Sequence, residues 1–331
     1  MWQGLLLCSV LTTLGYGLAQ VPLLAHSGFS PLVFALLLGL LAGNLGFTRV
    51  ANAKAGLHLC TRWLLRGGIV LFGLSLTLQQ IFALGPWVLV LDLVVIGGVL
   101  TLGYLIGTRV LKLDAETTLL TCAGSAICGA AAVLATEATI RSRPAATSMA
   151  VATVVLFGSL SMLVYPLLYP LVGLDEGSFG IYIGATVHEV AQVVAAADAV
   201  GPDALANAVI VKLLRVLLLI PFLLIVGQCW LRRGNTMIGA EGRGGLVIPW
   251  FAFGFLAMVL FNSYVLLPAS LHHGLILIGQ VALAMAMAAL GYETRLEKLA
   301  ALGLRPFILA LCLFLMLSGG GLLMTVLCFG R

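Results

Sequence analysis

Charged residues are scarce in this chain. Only 9% of its 331 residues are charged and 62% are hydrophobic, with a mean hydropathy of +1.17, whereas soluble globular proteins carry roughly 25% charged residues. This composition excludes a soluble protein and predicts an all-α polytopic membrane protein. Apolar runs recur from end to end, so we expect one integral membrane domain over residues 1–331.

The sequence also lacks the spacing patterns of a disulfide framework or a zinc site. Its cysteines are scattered, mostly in or beside apolar runs: Cys8, Cys60, Cys122, Cys128, Cys229, Cys312 and Cys328. With no Walker motif either, we expect no metal and no cofactor. The formal net charge of +5 is spread over short loops, which indicates orientation in a bilayer rather than nucleic-acid binding.

Apolar runs long enough to cross about 30 Å of hydrocarbon predict nine full spans. They lie near 4–25, 31–48, 63–82, 86–108, 145–171, 205–230, 247–267, 272–292 and 306–328. The first lacks the charged leader and cleavage site of a signal peptide, so we interpret it as a retained helix. The chain then divides into N-terminal spans (1–108), a core (109–230) and C-terminal spans (231–331).

Two core segments, 115–140 and 177–200, are interrupted by small and polar residues. Fourteen of the 17 Lys and Arg residues fall in alternate loops, and such loops are typically cytoplasmic. This orientation puts the N-terminus in the cytoplasm and the C-terminus in the periplasm. It also makes each interrupted segment begin and end on one side, as a re-entrant hairpin. The alternative is two crossing broken helices, which would misplace only Arg141 and Arg143.

Two weak internal similarities favour an inverted repeat. "GSAICGAAAVLA" (124–135) aligns with "GATVHEVAQVVA" (184–195), and "GLSLTLQQIFALG" (73–85) aligns with "GYETRLEKLAALG" (291–303) at an offset of 218. The loop charges give the members of the second pair opposite directions. Inverted repeats whose interrupted helices meet at depth are a recurrent construction of secondary transporters, and irregular backbone at that depth must line protein or water.

Three segments resemble the YeiH-type family of bacterial sulfate exporters. They are "GSAICGAAAVLATEATI", "GATVHEVAQVVAAADAVGPDALANAVIVKLLRV" and "AMAMAALGYETRLEKLAALGLRP", and the likeness runs from about residue 30 to the C-terminus. The resemblance implies a polytopic inner-membrane protein, distantly similar in fold to cation/proton antiporters and bile-acid symporters. It also implies sulfate or a related sulfur oxyanion as substrate.

Small residues at the two interruptions are candidate substrate contacts. A half-helix N-terminus in "AGSAICG" would present backbone N–H groups to an oxyanion, with Ser125 as a hydroxyl donor. The alternative is that the small residues only allow helices to pack. The candidates at the interruptions are Gly124, Ser125, Cys128, Gly129, Gly184, Thr186 and Gln192.

Lys212 and Arg215 lie about 10–15 Å into a predicted span, near mid-membrane. Spaced i and i+3, they share one helix face. Each uncompensated cation there costs at least roughly 2.5–3.5 kcal/mol on insertion scales. We interpret the pair as an electrostatic attractor for an anion. The alternatives are neutralisation by Glu189, Asp198 or Glu137, and a Lys212 side chain that snorkels outward.

His188 and Glu189 stand at the second interruption, with Gln192 one helical turn beyond. Histidine changes charge most readily near neutral pH, so a proton taken up here would offset the charge of a bound anion. The alternative is structural, with Glu189 paired to Arg215 and His188 bonded to a carbonyl. A zinc-protease interpretation fails, because Gln192 stands where HExxH needs its second histidine.

The leading hypothesis from the sequence is therefore a secondary transporter that exports a small sulfur oxyanion and is coupled to protons. The expected partners are that inorganic or organosulfur anion, protons and lipid, with homo-oligomers compatible with the sequence. One alternative is an intramembrane enzyme that uses Cys128, His188 and Glu189. The other is a passive anion channel, which would show flux without saturation.

Overall fold

The computed structural model describes residues 1–21, 30–45, 53–232, 250–265, 267–294 and 303–329. All regular structure in these ranges is helical, which confirms the predicted fold class. The helices are α1 (Trp2–Ala19), α2 (Pro31–Asn44), α3 (Lys54–Ser75), α4 (Leu78–Ala83), α5 (Trp87–Val110), α6 (Ala115–Ala126), α7 (Ala130–Ile140), α8 (Pro144–Val172), α9 (Glu176–Thr186), α10 (Val190–Asp198), α11 (Pro202–Leu217), α12 (Leu219–Arg232), α13 (Trp250–Tyr264), α14 (Ala269–Glu293) and α15 (Leu304–Phe329).

Seven helical segments are long and apolar enough to cross a bilayer. They are α1, α3, α5, α8, the continuous run α11–α12, α14 and α15. The other two predicted spans correspond to α2 and α13, which are apolar but have only 14 and 15 residues, or about 21–23 Å. Seven of the nine predicted spans therefore have full spanning length in the described ranges.

The third span differs from its predicted bounds of 63–82. Helix α3 begins nine residues earlier, at Lys54, and ends at Ser75, so Arg62 and Arg66 lie on the helix and not in a loop. It ends there because Thr77 starts a new helix, α4. The Thr77 hydroxyl accepts from Gln80 N at 3.4 Å and the Gln80 side chain accepts from Thr77 N at 2.8 Å, which is a capping box.

The predicted span 205–230 is two helices joined at Leu218. Pro221 lacks the N–H that would bond the carbonyl of Leu217, so the regular helical ladder is interrupted there. The remaining spans start and end within a few residues of the predicted positions, except where their ends fall outside the described ranges. These exceptions include the predicted ends at 25, 48 and 247.

The first interrupted segment is a re-entrant hairpin, formed by α6 and α7. Its two ends are joined by Arg143, whose Nη2 lies 2.9 Å from Asp114 and whose Nε lies 2.9 Å from Glu116. A single crossing of the membrane would hold these ends about 30 Å apart. The chain therefore enters and leaves this segment at the same end of the molecule.

The second interrupted segment, α9 and α10, closes in the same way. Glu176 Oε1 at its start accepts hydrogen bonds from Asp203 N at 2.7 Å and Ala204 N at 3.3 Å, just beyond its end. Asn207 adds a hydrogen bond to the carbonyl of Gly177 at 3.1 Å. Both segments are thus hairpins, and the alternative of two crossing broken helices does not describe this structure.

The two hairpins enter from opposite ends of α15. Near the start of α15, Leu309 lies against Gly107 of α5, and Thr118, one turn into the first hairpin, lies against the same glycine. At the other end of α15, Ser178 of the second hairpin donates to the carbonyl of Phe329 at 3.2 Å. The hairpin tips therefore point toward each other near the middle of the bundle.

An inverted repeat remains a prediction, but the opposed hairpins are what it would produce. The first proposed pair, 124–135 and 184–195, covers the two tips, and α7 and α10 begin sixty positions apart, at Ala130 and Val190. The second pair includes residues 295–302, which lie outside the described ranges.

This topology predicts which loops share a membrane face. Single cysteines at Leu174 and Asp203, which flank the second hairpin, should react with an impermeant thiol reagent from the same side. Cysteines at Leu113 and Ala145, which flank the first hairpin, should react only from the opposite side. Intact and inverted vesicles containing a protein without its exposed Cys229 would report this. Labelling of Leu174 and Asp203 positions from different sides would contradict the second hairpin.

Candidate functional site at the hairpin tips

The tips of the two hairpins meet at Gly129 and Glu189, the residues that precede the second helix of each hairpin. Glu189 Oε1 accepts a hydrogen bond from Ala130 N at 3.3 Å. A side chain at Gly129 would collide with Glu189. The carboxylate of one hairpin thus caps the helix N-terminus of the other, where backbone N–H groups and the helix dipole favour negative charge.

Each tip is a short unwound stretch of three residues, 127–129 and 187–189. The first turns at Gly129, whose φ of +71° is accessible to glycine without strain. The second leaves the helix at Val187, which has an extended conformation with ψ of 143°. Breaks of this kind leave carbonyls at the end of one half-helix and N–H groups at the start of the next without intrahelical partners.

Lys212 and Arg215 of α11 satisfy the carbonyls of both breaks. Lys212 Nζ donates to the carbonyl of Ile127 at 2.9 Å and to that of Val187 at 2.6 Å. These two acceptors occupy equivalent positions in the two hairpins, sixty residues apart. A single ammonium group therefore joins the end of α6 to the end of α9.

Arg215 repeats this bridging one helical turn further on. Its Nε donates to the carbonyl of Ala126 at 2.6 Å, its Nη2 to that of Ser125 at 3.3 Å, and its Nη1 to that of Ala185. Both cations are fully buried, at 0% exposure. Positive charge at helix C-termini is stabilising, so the half-helix carbonyls supply the compensation that a buried cation requires.

Within its described ranges, the structure contains neither of the two alternatives that the sequence left open for Lys212 and Arg215, an ion pair or an outward-directed lysine. Lys212 does not snorkel outward, and neither cation forms an ion pair with Glu189, Asp198 or Glu137 in the part of the chain that the structure describes. The role of the pair as an anion attractor remains a prediction. Because their donors already hold carbonyls, direct contact with substrate would require those bonds to open.

His188 and Gln192 lie at the second tip as expected. His188 is 1% exposed, and its Nδ1 has no hydrogen-bond partner among the described residues. Gln192 Oε1 accepts from Glu189 N at 3.2 Å, and its Nε2 donates to Ser159 Oγ at 3.4 Å. Gly158 makes room for this amide, since a side chain there would collide with it.

The structure corrects the placement of four candidates. Gly124 and Ser125 lie at the C-terminal end of α6, so they do not form a helix N-terminus, and a side chain at Gly124 would meet Val133 and Val154. Gly184 packs against Ala208 of α11. Thr186 donates its hydroxyl to the carbonyl of Tyr182 at 2.7 Å. Gly129 N already donates to the carbonyl of Gly124 at 2.9 Å, so the N–H donors of the first tip begin at Ala130, and Cys128 is buried nearby.

Sequence reasoning missed an aromatic pair on helices that flank the tips. The rings of Tyr165 and Tyr182 stack with centroids 4.7 Å apart. Both hydroxyls bond Ser318, Tyr165 to its Oγ at 2.9 Å and Tyr182 to its carbonyl at 3.2 Å. Ser318 lies in a π-helical turn of α15, Met316–Gly320, and such turns frequently occur at functional sites. The sequence carries no pattern that would mark this turn.

The tips are closed in this conformation, because the Glu189 side chain occupies the space beside Gly129. A distinct cavity lies elsewhere, between α5, α6 and α12. Its walls are mainly apolar: Leu100, Tyr104, Leu119, Phe222, Val226, Cys229 and Trp230. We take the tips, and not this cavity, as the candidate site, because the tips alone combine unwound backbone with buried polar groups.

Comparisons with known proteins identify the family. Residues 3–310 match a family model described as "Conserved hypothetical protein 698". A "UPF0324 membrane protein" of Pseudomonas putida is 45% identical over 327 residues, which cover 98% of this chain and 92% of the relative. This chain belongs to the UPF0324 family.

Other relatives in the family carry the name YeiH. The "UPF0324 inner membrane protein YeiH" of Salmonella typhi is 42% identical over 333 residues, covering 99% of this chain and 95% of that protein. The protein of the same name from Escherichia coli K12 is also 42% identical, over 96% of this chain and 91% of that protein. The resemblance stated from the sequence is therefore confirmed. No solved structure matches.

The carbonyl contacts predict that Lys212 and Arg215 hold the two hairpins together. Lys212→Met leaves two buried carbonyls without their donor, and each such group costs about 1–3 kcal/mol. We expect a lower midpoint of thermal unfolding in detergent, and for Arg215→Met a loss at least as large. Lys54→Met, at an exposed position, is the matched control. Unfolding midpoints equal to that of the control would show that the buried contacts contribute nothing to stability.

Proposed function

We propose that this membrane protein is a secondary transporter whose substrate is a small oxyanion of the sulfate type, bound at the meeting point of the hairpin tips. The observation that carries the proposal is the position of Glu189. Its carboxylate accepts from the N-terminus of α7 across the gap between the tips. A site that holds a carboxylate oxygen there has the chemistry to hold an oxyanion instead.

The charges around the tips support an anion over a cation. The carbonyl ends of α6 and α9 are already compensated by Lys212 and Arg215. The N-terminal ends of α7 and α10 carry the opposite partial charge, and Glu189 is the acidic side chain seen to bond one of them. Displacing Glu189 would leave N–H donors and partial positive charge for a substrate.

The opposed hairpins support transport. In many secondary transporters, interrupted helices enter from both faces of the membrane and meet near its middle. The site between them is exposed alternately to each side. The relatives from Salmonella typhi and Escherichia coli are named inner membrane proteins, and we propose the same location here, with the N-terminus in the cytoplasm. Sulfate or a related sulfur oxyanion as substrate, and export as direction, come from the family resemblance.

Proton coupling at His188 and Glu189 is part of the proposal. An ionised Glu189 competes with the substrate for the N-terminus of α7. A proton on Glu189 or on His188 removes that competition or adds positive charge. Substrate binding should therefore be tighter at lower pH and should take up protons.

The intramembrane enzyme that uses Cys128, His188 and Glu189 remains an alternative of a different class. It would require a membrane substrate to reach Cys128 and His188, which are almost fully buried, beside the partly buried Glu189. Loss of turnover of such a substrate on cysteine alkylation would favour it. Flux that does not saturate would favour a channel.

Anion affinity measured across the histidine range, from about pH 5.5 to 8, tests the proposed function. The purified parent should bind sulfate or a sulfur oxyanion of a test panel more tightly at the acidic end. Glu189→Gln lacks the competing charge, so it should still bind while its affinity changes much less with pH. His188→Gln should flatten the profile in part.

Glu137→Gln is the matched control, since Glu137 lies on α7 two turns from its N-terminus. Its profile should follow the parent. If the parent, Glu189→Gln and His188→Gln all respond to pH identically, protons are not coupled at this site. If none of them binds any anion of the panel, the transporter proposal itself fails.

A further inference from the structure

Asp92 is a fully buried carboxyl group that bonds neither the hairpin tips nor the two buried cations. It lies on α5, among the buried residues of that helix, at 0% exposure. Neither Oδ1 nor Oδ2 has a hydrogen-bond partner among the residues that the structure describes. Burying an ionised carboxylate without partners is far more costly than burying a neutral carboxyl group.

The charged groups nearest to Asp92 form their hydrogen bonds with other groups. Lys212 and Arg215 act on it electrostatically, but neither lies within ion-pair distance in the described residues, because both side chains extend to the carbonyls of the two tips. The helices packed against α5 also carry Cys122 and Tyr182, which are ordinarily neutral. The acidic groups on those helices lie at the bases of the hairpins and not beside the tips: Glu116, Glu176 and Asp203. The basic group of α15, Arg305, lies at the start of that helix.

We propose that Asp92 is a proton-binding site of the transporter, protonated in this conformation and linked through Lys212 and Arg215 to the occupancy of the tips. This inference rests on the proposed function for the link to the anion. The proton site itself rests only on the burial of Asp92 and its lack of partners. It adds to the proton coupling assigned to His188 and Glu189 a third group on a different helix.

Counting formal charges shows why a proton on Asp92 favours an anion. Lys212 and Arg215 contribute two positive charges and Glu189 one negative charge. With Asp92 neutral, this buried group carries one net positive charge, which a singly charged anion neutralises. Loss of the proton from Asp92 brings the net charge to zero and weakens the attraction. A doubly charged oxyanion needs one further proton, which Glu189 or His188 would take.

Infrared spectroscopy of the purified protein in lipid would detect the proton on Asp92 directly. The carbonyl stretch of a protonated aspartate should be present at neutral pH, shift on isotope labelling of aspartate, and disappear in Asp92→Asn. Asp198→Asn is the matched control, because Asp198 is the other aspartate largely shielded from solvent. Absence of the band from the labelled parent overturns the proton site, as does its loss in Asp198→Asn with retention in Asp92→Asn. If Asp92→Asn does not fold, the labelled band should persist in Asp198→Asn, and its loss there overturns the assignment to Asp92.

Sulfate affinity then tests the link to the tips. As the pH is raised, the parent should lose sulfate affinity about tenfold for each proton that the site releases, which corresponds to about 1.4 kcal/mol. Asp92→Asn is neutral at every pH, so its affinity should equal or exceed that of the parent at alkaline pH and vary less with pH. An unchanged pH profile in a folded Asp92→Asn overturns the link. If the infrared band is present but no variant binds an anion, the proposed function fails while the proton site stands.

Discussion

Two buried cations that bond backbone carbonyls are the interaction on which the core depends. Lys212 and Arg215 reach from α11 to the ends of α6 and α9, which belong to hairpins that enter from opposite ends of the bundle. Broken helices at membrane depth cannot leave these carbonyls facing lipid. The cations therefore allow both helices to stop in the interior, and only because they stop can two tips exist there.

The tips are not equivalent, and that difference creates the candidate site. Where the second tip has Glu189, the first has Gly129. The glycine provides both the left-handed turn and the space into which the carboxylate of the opposite hairpin extends. Carbonyl contacts at equivalent positions hold both tips, but only the second tip places an acidic side chain on the N-terminus of the facing half-helix. The proposed proton coupling depends on this asymmetry.

Much of this arrangement could be predicted from the sequence, because its signals are compositional. Apolar runs located the spans, and loop charges with small-residue interruptions predicted the hairpins. The partners of the buried cations could not be predicted from the sequence. Lys212 bonds the carbonyls of Ile127 and Val187, and every residue type has a backbone carbonyl. Nor could the sequence show that Gly124 packs against Val133 and Val154, or Gly184 against Ala208. The Tyr165–Tyr182 stack was missed because apolar helices give no indication of which face is buried.

The central claim is that an oxyanion replaces Glu189 between the tips, and the most direct test is an experimental structure with selenate, whose selenium is located by anomalous scattering. We expect a selenate oxygen to accept from Ala130 N at the α7 N-terminus, with the Glu189 side chain moved away. Selenate bound in the apolar cavity near Trp230, or at the membrane surface with Glu189 still on Ala130, would contradict it.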